Sequence, residues 1–134
     1  MRFYHYTSVE HLKYIKRTGL NRGDVPLNPH TIGTSAVWLT TDNNAKRQKW
    51  AKNGIFNKLA CRITVDIPLE DSRLVKWYDF AKEKRVPDYW YKALDVAGGG
   101  GSEHWYLFFG VIEPKYFKCI KILESDVTYA SEHV

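Results

Sequence analysis

Residues 58–67, KLACRITVDI, constrain the fold of this chain more than any other stretch. Apolar side chains alternate with polar ones along this segment, which is the pattern of a β-strand that buries only one face. Pro68 ends the strand, because proline has no N–H to donate to a sheet ladder. Residues 2–7, RFYHYT, alternate in the same way and are rich in aromatic side chains. Half-buried strands of this kind are typical of antiparallel sheets.

The remaining patterns predict more strands than helices, without a regular strand–helix alternation. Thr7 or Ser8 caps a helix that Gly19 ends. The fold class predicted is α+β, with two short antiparallel sheets or one strongly bent sheet, flanked by helices. Further strands are predicted over 36–40, 103–112 and 118–123, of which 118–123 is the last. A long loop is predicted over 21–35 and a helix, capped by Asp42, over 43–52. The stretch over 70–95 is predicted to be mostly helical, with a break near Pro87.

Length and charge limit the classes of function. With 134 residues and no linker-like composition break, the chain is expected to form a single domain, 1–134. Aromatic residues make up 15% of the chain, which excludes disorder. A net charge of +5 permits an anionic partner such as a dinucleotide, a nucleic acid or an acidic protein face.

Several features predict a cytoplasmic protein with no membrane partner. The chain has no long apolar run, and its first residues have no apolar stretch of the kind that signals secretion. Cys61 and Cys119 are too few for a disulfide framework and lie in strand-like segments, so both are expected to be core thiols.

Common catalytic motifs are absent. The glycines at 98–101 precede a strand, whereas a dinucleotide-binding glycine turn follows one. No two histidines have metal-ligand spacing, so no metal site is expected. A metal enzyme or a standard hydrolase is therefore unexpected.

Three separated fragments carry the functional signal. They are residues 3–8, FYHYTS, leading into a helix that ends at Gly19; residues 36–42, AVWLTTD; and residues 102–105, SEHW, opening a strand that is followed by a turn at 112–114. In this order the fragments resemble the ADP-ribosyltransferase superfamily, most closely its histidine–aromatic–glutamate branch, which includes many small bacterial and phage toxins. The resemblance implies two short, mostly antiparallel sheets that form a cleft.

The resemblance also implies a substrate and a set of roles. NAD is the substrate, and no metal is needed. His5 matches the histidine that hydrogen-bonds the adenosine ribose and orients NAD, and Glu103 matches the glutamate that binds the nicotinamide ribose and stabilises the transition state. Trp38 and Trp50 fall near the two family aromatics, the second of which stacks on nicotinamide. The residues assigned in this way to NAD binding are His5, Tyr6, Thr7, Trp38, Thr40 and Trp50.

The chemistry explains these residue types. Breaking the nicotinamide–ribose bond develops an oxocarbenium ion, which a nearby carboxylate stabilises. The nicotinamide ring is cationic before cleavage, and indole is the best aromatic partner for a cation. The chain departs from the family pattern by carrying Trp where Tyr is usual, and by Gly101, which stands where many protein-modifying members have Glu or Gln.

Each assigned residue also has a purely structural interpretation. His5 can be a hydrogen-bonded histidine at the rim of the core, Trp38 and Trp50 can be core side chains, and Glu103 can be a solvated loop residue. Lys46, Arg47 and Lys49 are either solvated or placed to meet the NAD pyrophosphate.

The function predicted is a monomeric NAD-dependent ADP-ribosyltransferase that modifies a macromolecular acceptor, either protein or nucleic acid. The alternatives are a basic, aromatic-rich nucleic-acid-binding module without catalysis, and an NAD glycohydrolase or inactive NAD-site protein.

Overall fold

The computed structural model describes residues 1–21, 23–30, 33–44, 60–98, 100–123 and 127–130. The strands are β1 (Arg2–Thr7), β2 (Asp24–Val25), β3 (Thr34–Ser35), β4 (Val37–Thr40), β5 (Cys61–Asp66), β6 (Leu74–Lys76), β7 (Trp105–Phe108), β8 (Phe117–Ile122) and β9 (Val127–Ala130). The helices are α1 (Val9–Thr18), α2 (Trp77–Glu83) and α3 (Asp88–Ala97), with 3-10 turns at Ser102–His104 and Pro114–Tyr116.

The described strands form two sheets of unequal size. The larger has seven strands in the order β6-β7-β4-β1-β5-β8-β9, and the smaller pairs β2 with β3. Every pairing between these strands is antiparallel. The predicted α+β class, with antiparallel sheets flanked by helices, is confirmed.

The large sheet has a narrow seam between β1 and β4. β1 pairs with β5 along its whole length, and β4 pairs with β7 along its whole length. In the described register, β1 and β4 pair with each other at Tyr4 and Thr40. Two well-paired halves therefore meet at a short junction, and space for a cleft opens beside it.

Two apolar clusters cover opposite faces of this sheet, because successive side chains of a strand point to opposite sides. The first cluster lies against α1 and includes Phe3, Leu12, Ile15, Leu39, Ile63, Val65 and Ile120. The second lies against α2, α3 and the small sheet, and includes Val25, Ala36, Trp77, Phe80, Ala81 and Leu107, with Trp38 and Trp105 packed on it.

The helix predicted after the first strand is confirmed. Ser8 occupies the N-cap position with extended backbone, although its hydroxyl bonds Nδ1 of His11 at 2.7 Å instead of capping the helix. Gly19 ends the helix with φ +88°, a conformation that other residues rarely adopt. Its N–H donates to the carbonyl of Ile15, as helix C-caps require.

The strands predicted over 2–7, 36–40 and 58–67 are also confirmed, at Arg2–Thr7, Val37–Thr40 and Cys61–Asp66. Residues 58 and 59 lie outside the described residues. Neither cysteine forms a disulfide, and Cys61 is buried in the core as predicted, whereas Cys119 is only half-buried. Of the helix predicted over 43–52, residues 43 and 44 are not helical, and the rest lies outside the described residues.

Short elements account for the incorrect predictions. Residues 21–35 contain β2 and β3, which are two residues long and thus too short to show a period. The stretch 70–95 begins with β6, a three-residue edge strand that exists because β7 pairs with it. The break near Pro87, between α2 and α3, is as predicted.

The last third of the chain differs in its strand limits. The strand predicted over 103–112 is shorter, because a 3-10 turn at Ser102–His104 precedes β7 and the strand ends at Phe108. The strand predicted over 118–123 is β8, but it is not the last strand, since β9 pairs with its outer edge. None of the described helices is both long and apolar enough to cross a membrane.

Gly19 and Gly100 offer a matched test of the packing around α1. Both have positive φ, but a Cβ on Gly19 would lie 2.5 Å from the Ile112 carbonyl oxygen, whereas a Cβ on Gly100 would meet nothing within 4 Å. We expect Gly100→Ala to lower the free energy of unfolding by about 1 kcal/mol through backbone strain alone. Gly19→Ala should cost at least about 1 kcal/mol more, because the Leu20–Ile112 bridge must also shift. Urea unfolding of both variants measures the difference, and equal losses would contradict the close packing.

Candidate functional site

A cleft of about 650 Å³ opens beside the seam between β1 and β4. Its walls are the facing parts of these two strands, the start of the small sheet and the last turn of α3. The volume lies within the range of small-molecule sites. The residues that line it are Tyr4, His5, Tyr6, Thr7, His11, Gly23, Asp24, Trp38, Leu39, Thr40, Leu94, Ala97, Gly98 and Trp105.

His5 bridges the seam with its side chain. Its Nδ1 lies 2.8 Å from the carbonyl oxygen of Trp38. Because a carbonyl only accepts hydrogen bonds, Nδ1 must carry the proton. Burial lowers the pKa of His5 despite this bond, so the imidazole is neutral at pH 7. Nε2 is then a hydrogen-bond acceptor in the wall of the cleft.

Trp38 connects the two sheets and lines the cleft. Its indole Nε1 donates to the backbone carbonyl of Asp24 in β2 at 2.8 Å. Its ring makes edge contacts with Trp77 and Trp105, with centroids 5.2 and 5.7 Å apart. Trp38 therefore packs against the core and also lines the cleft. The core position and the site position, which the sequence offers as alternatives, occur together in this side chain.

The hydroxyl groups of Tyr6 and Thr40 are occupied by the segment after β4. Tyr6 donates to the Asp42 carbonyl at 3.1 Å, and Thr40 Oγ1 accepts from the Asp42 N–H at 3.0 Å. Burial raises the pKa of Tyr6 to about 12, which keeps the phenol protonated. These two residues and Thr7 are almost fully buried, so they shape the cleft wall.

Glu103 stands outside the residues that line this cleft. It lies on the 3-10 turn before β7, with 75% of its side chain exposed. Its Oε1 lies 3.4 Å from Nε2 of His104, whose Nδ1 lies 3.2 Å from the Thr41 hydroxyl. The Thr41 N–H also donates to the His104 carbonyl at 3.1 Å. Glu103 is thus tied to the end of β4 at the surface, two residues before Trp105, whose ring lines the cleft.

Part of the predicted site lies outside the described residues. This applies to Trp50, assigned to the nicotinamide, and to the basic residues Lys46, Arg47 and Lys49. Five of the six residues assigned to NAD are in the described part of the chain, and the cleft brings them together: His5, Tyr6, Thr7, Trp38 and Thr40.

Sequence patterns did not indicate several cleft residues. Asp24 and His11 line the cleft because the small sheet and the first turn of α1 border it, and no motif contains them. Gly98 belongs to the glycine run, but its contact with the Trp105 ring is a matter of tertiary packing. For Trp105 the sequence does contain a signal, which is the alternation of side chains along the strand that follows Glu103.

The charges of the described lining differ from those of a phosphate groove. Lysine and arginine are absent from the described lining residues, and Asp24 is an acidic residue among them. Aromatic side chains and hydroxyls make up most of the rest. This combination suits a flat ring that is neutral or cationic.

Within the described ranges, no group of three or more histidine, cysteine, aspartate or glutamate side chains is placed to hold a metal ion. Comparisons of the chain with family models, curated proteins and solved structures found no match in any of the three.

The depressed pKa of His5 predicts a pH dependence of stability. The unfolded chain takes up a proton as the pH falls below the ordinary value of 6.5, but the buried imidazole resists it. The contribution of the neutral His5 imidazole to the free energy of unfolding is therefore present above pH 6.5 and is lost as the pH falls below that value. We expect His5→Gln to flatten the fall in the free energy of unfolding between about pH 7 and pH 5. Urea unfolding across this range measures it, with the exposed His30→Gln as control. A slope unchanged in His5→Gln would show that His5 is not buried as a neutral group.

Proposed function

We propose that this protein is an NAD-dependent ADP-ribosyltransferase that transfers ADP-ribose from NAD to a macromolecular acceptor and releases nicotinamide. The observation that carries the proposal is the cleft at the β1–β4 seam. It collects five residues that the family resemblance assigns to NAD, although they come from two strands more than 30 positions apart in the chain.

The state of His5 supports a sugar ligand. A neutral imidazole whose Nδ1–H is bound to the Trp38 carbonyl presents Nε2 as an acceptor. A ribose hydroxyl is a donor that fits this position. Protonation would remove the acceptor, so the burial that lowers the pKa of His5 serves ligand binding as well.

The aromatic walls support the nicotinamide end of NAD. The pyridinium ring is flat and positively charged before cleavage, and the indoles of Trp38 and Trp105 border the space. The described lining offers no lysine or arginine that would repel this ring.

In the reaction, the bond between C1′ of the ribose and the nicotinamide nitrogen breaks, and nicotinamide leaves with the bonding electron pair. A nucleophilic atom of the acceptor forms the new bond to C1′ and releases its proton to solvent. Positive charge develops on the ribose between these events, and a carboxylate beside it lowers the barrier.

Glu103 is the carboxylate proposed for this role. Its side chain is exposed on the 3-10 turn before β7, so an acceptor can reach it from solvent. The Thr41–His104 contacts hold its turn beside the end of β4. An exposed carboxylate also leaves room for water as the nucleophile, which would make the protein an NAD glycohydrolase.

Replacement of Glu103 by Gln tests the mechanism. We expect nicotinamide release to fall by about 100-fold or more, because the amide keeps the shape and loses the charge. Glu113→Gln is the control, since Glu113 is an exposed glutamate that directly precedes a 3-10 turn, whereas Glu103 lies on one, and Glu113 is outside the described cleft lining. Nicotinamide is quantified by chromatography, and thermal unfolding shows that both variants fold. Full turnover in Glu103→Gln would refute the mechanism.

Labelled NAD identifies the reaction outcome. The wild-type protein is incubated with adenylate-labelled NAD and cell lysate, and the protein and nucleic-acid fractions are counted separately. Label in one fraction supports transfer and names the acceptor class. Nicotinamide release without incorporation supports hydrolysis instead. Absence of release, together with salt-dependent nucleic-acid binding, would support a non-catalytic binding module.

A further inference from the structure

We propose that Trp105 and Trp38 form a right-angled indole corner that binds a flat, positively charged aromatic ring, and that Gly98 determines the position of the Trp105 indole. The inference rests on the proposed function, in which this ring is the nicotinamide of NAD. It assigns Trp105 a direct contact with the ligand.

The geometry of the corner comes from two paired strands. Trp38 lies in β4 and Trp105 in β7, and both rings line the cleft. Their centroids are 5.7 Å apart and their planes meet at 82°. Trp105 opens its strand opposite Thr40, so its backbone is fixed by the β4–β7 ladder.

The Trp38 ring is supported from behind, and the Trp105 ring packs on the same apolar cluster. Trp38 contacts Trp77, which is fully buried and stacks in turn on Tyr91 of α3. The Trp38 indole N–H is held by the Asp24 carbonyl. The corner is therefore rigid before a ligand arrives, which reduces the entropy that binding costs.

Gly98 is required beside Trp105 for reasons of space. A Cβ at Gly98 would lie closer to Cζ2 and Cη2 of the Trp105 ring than real Cβ atoms approach other atoms. The φ of Gly98 is −83°, which any residue adopts, so backbone conformation does not call for glycine here. The Gly98 N–H donates to the Leu94 carbonyl at 3.0 Å, which fixes the end of α3 against the indole.

The charges of the residues that line the cleft favour a cationic ligand. The faces of indole rings attract cations, and Asp24 is an acidic residue among the described residues that line the same cleft. The described lining carries no lysine or arginine to compete for the rings. A pyridinium is the cationic, flat ring that the proposed reaction supplies, and its neutral counterpart is expected to bind more weakly.

The experiment uses two glycine variants and two ring probes. Gly98→Ala would displace the Trp105 indole, whereas a Cβ on Gly101 would lie 3.9 Å from Trp105 Nε1, an ordinary contact, so Gly101→Ala is the matched control. Cationic 1-methylnicotinamide and neutral nicotinamide are titrated while the indole N–H resonances are followed by NMR. We expect Gly98→Ala to weaken binding of the cation on the order of tenfold and Gly101→Ala to change it less than twofold.

A second pair of variants covers the case in which Gly98→Ala does not fold. Trp105→Leu should lose the preference for the cation over neutral nicotinamide, whereas Trp105→Phe should keep most of it, because an aromatic face remains. Loss of packing alone would weaken both probes equally. Equal weakening of both probes in Trp105→Leu, or wild-type affinity for the cation in that variant, would overturn the corner.

The outcomes separate this inference from the proposed function. If the wild-type protein binds 1-methylnicotinamide at Trp105 but never releases nicotinamide from NAD, the corner stands and the transferase proposal fails. If NAD is turned over and Trp105→Leu leaves its KM unchanged, the corner fails and the transferase proposal stands. If the wild-type indole resonances do not respond to 1-methylnicotinamide, the corner is wrong.

Discussion

The hydrogen bond from His5 to the Trp38 carbonyl is the interaction on which the arrangement of this molecule depends. The large sheet is continuous within each half, but in the described register its halves pair directly at Tyr4 and Thr40. Next to that pair, the His5 side chain connects the two strands in place of a backbone hydrogen bond. Its Nδ1 lies 2.8 Å from the Trp38 carbonyl oxygen. The sheet is thereby held together while a cleft opens between its halves. The same bond sets the imidazole tautomer, because a carbonyl oxygen accepts only from a protonated Nδ1.

Trp38 extends this connection to the rest of the fold. Its carbonyl meets β1, its indole N–H meets the small sheet, and its ring meets α2 through Trp77 and β7 through Trp105. A cluster of three tryptophans, Trp38, Trp77 and Trp105, therefore belongs to the second apolar cluster, and Trp38 and Trp105 also line the cleft. The faces of its indole rings attract cations, although the chain as a whole is basic. The described lining residues include no lysine or arginine that would meet the phosphates of NAD.

The patterns that predicted structure correctly are those with a local physical cause. Alternation along 58–67 reports one buried face, whereas alternation along 2–7 marks a strand with buried side chains on both faces. Gly19 marks a helix end because its positive φ suits glycine. β6 and the small sheet escaped prediction because elements of two or three residues show no period and exist through pairing with distant strands. Glu103 was expected to open a strand, but the 3-10 turn places it at the surface beside His104.

The sequence by itself determined the α+β class, the main strands and the first helix. These follow from side-chain periodicity and chemistry, which act within a few residues. Only the tertiary structure decided that His5 and Trp38 meet across a seam, that Asp24 and Gly98 border the same cleft, and that Glu103 stands outside its lining. Those placements depend on strand register and on helices packing against the sheet, which join residues far apart in the chain and leave no local pattern.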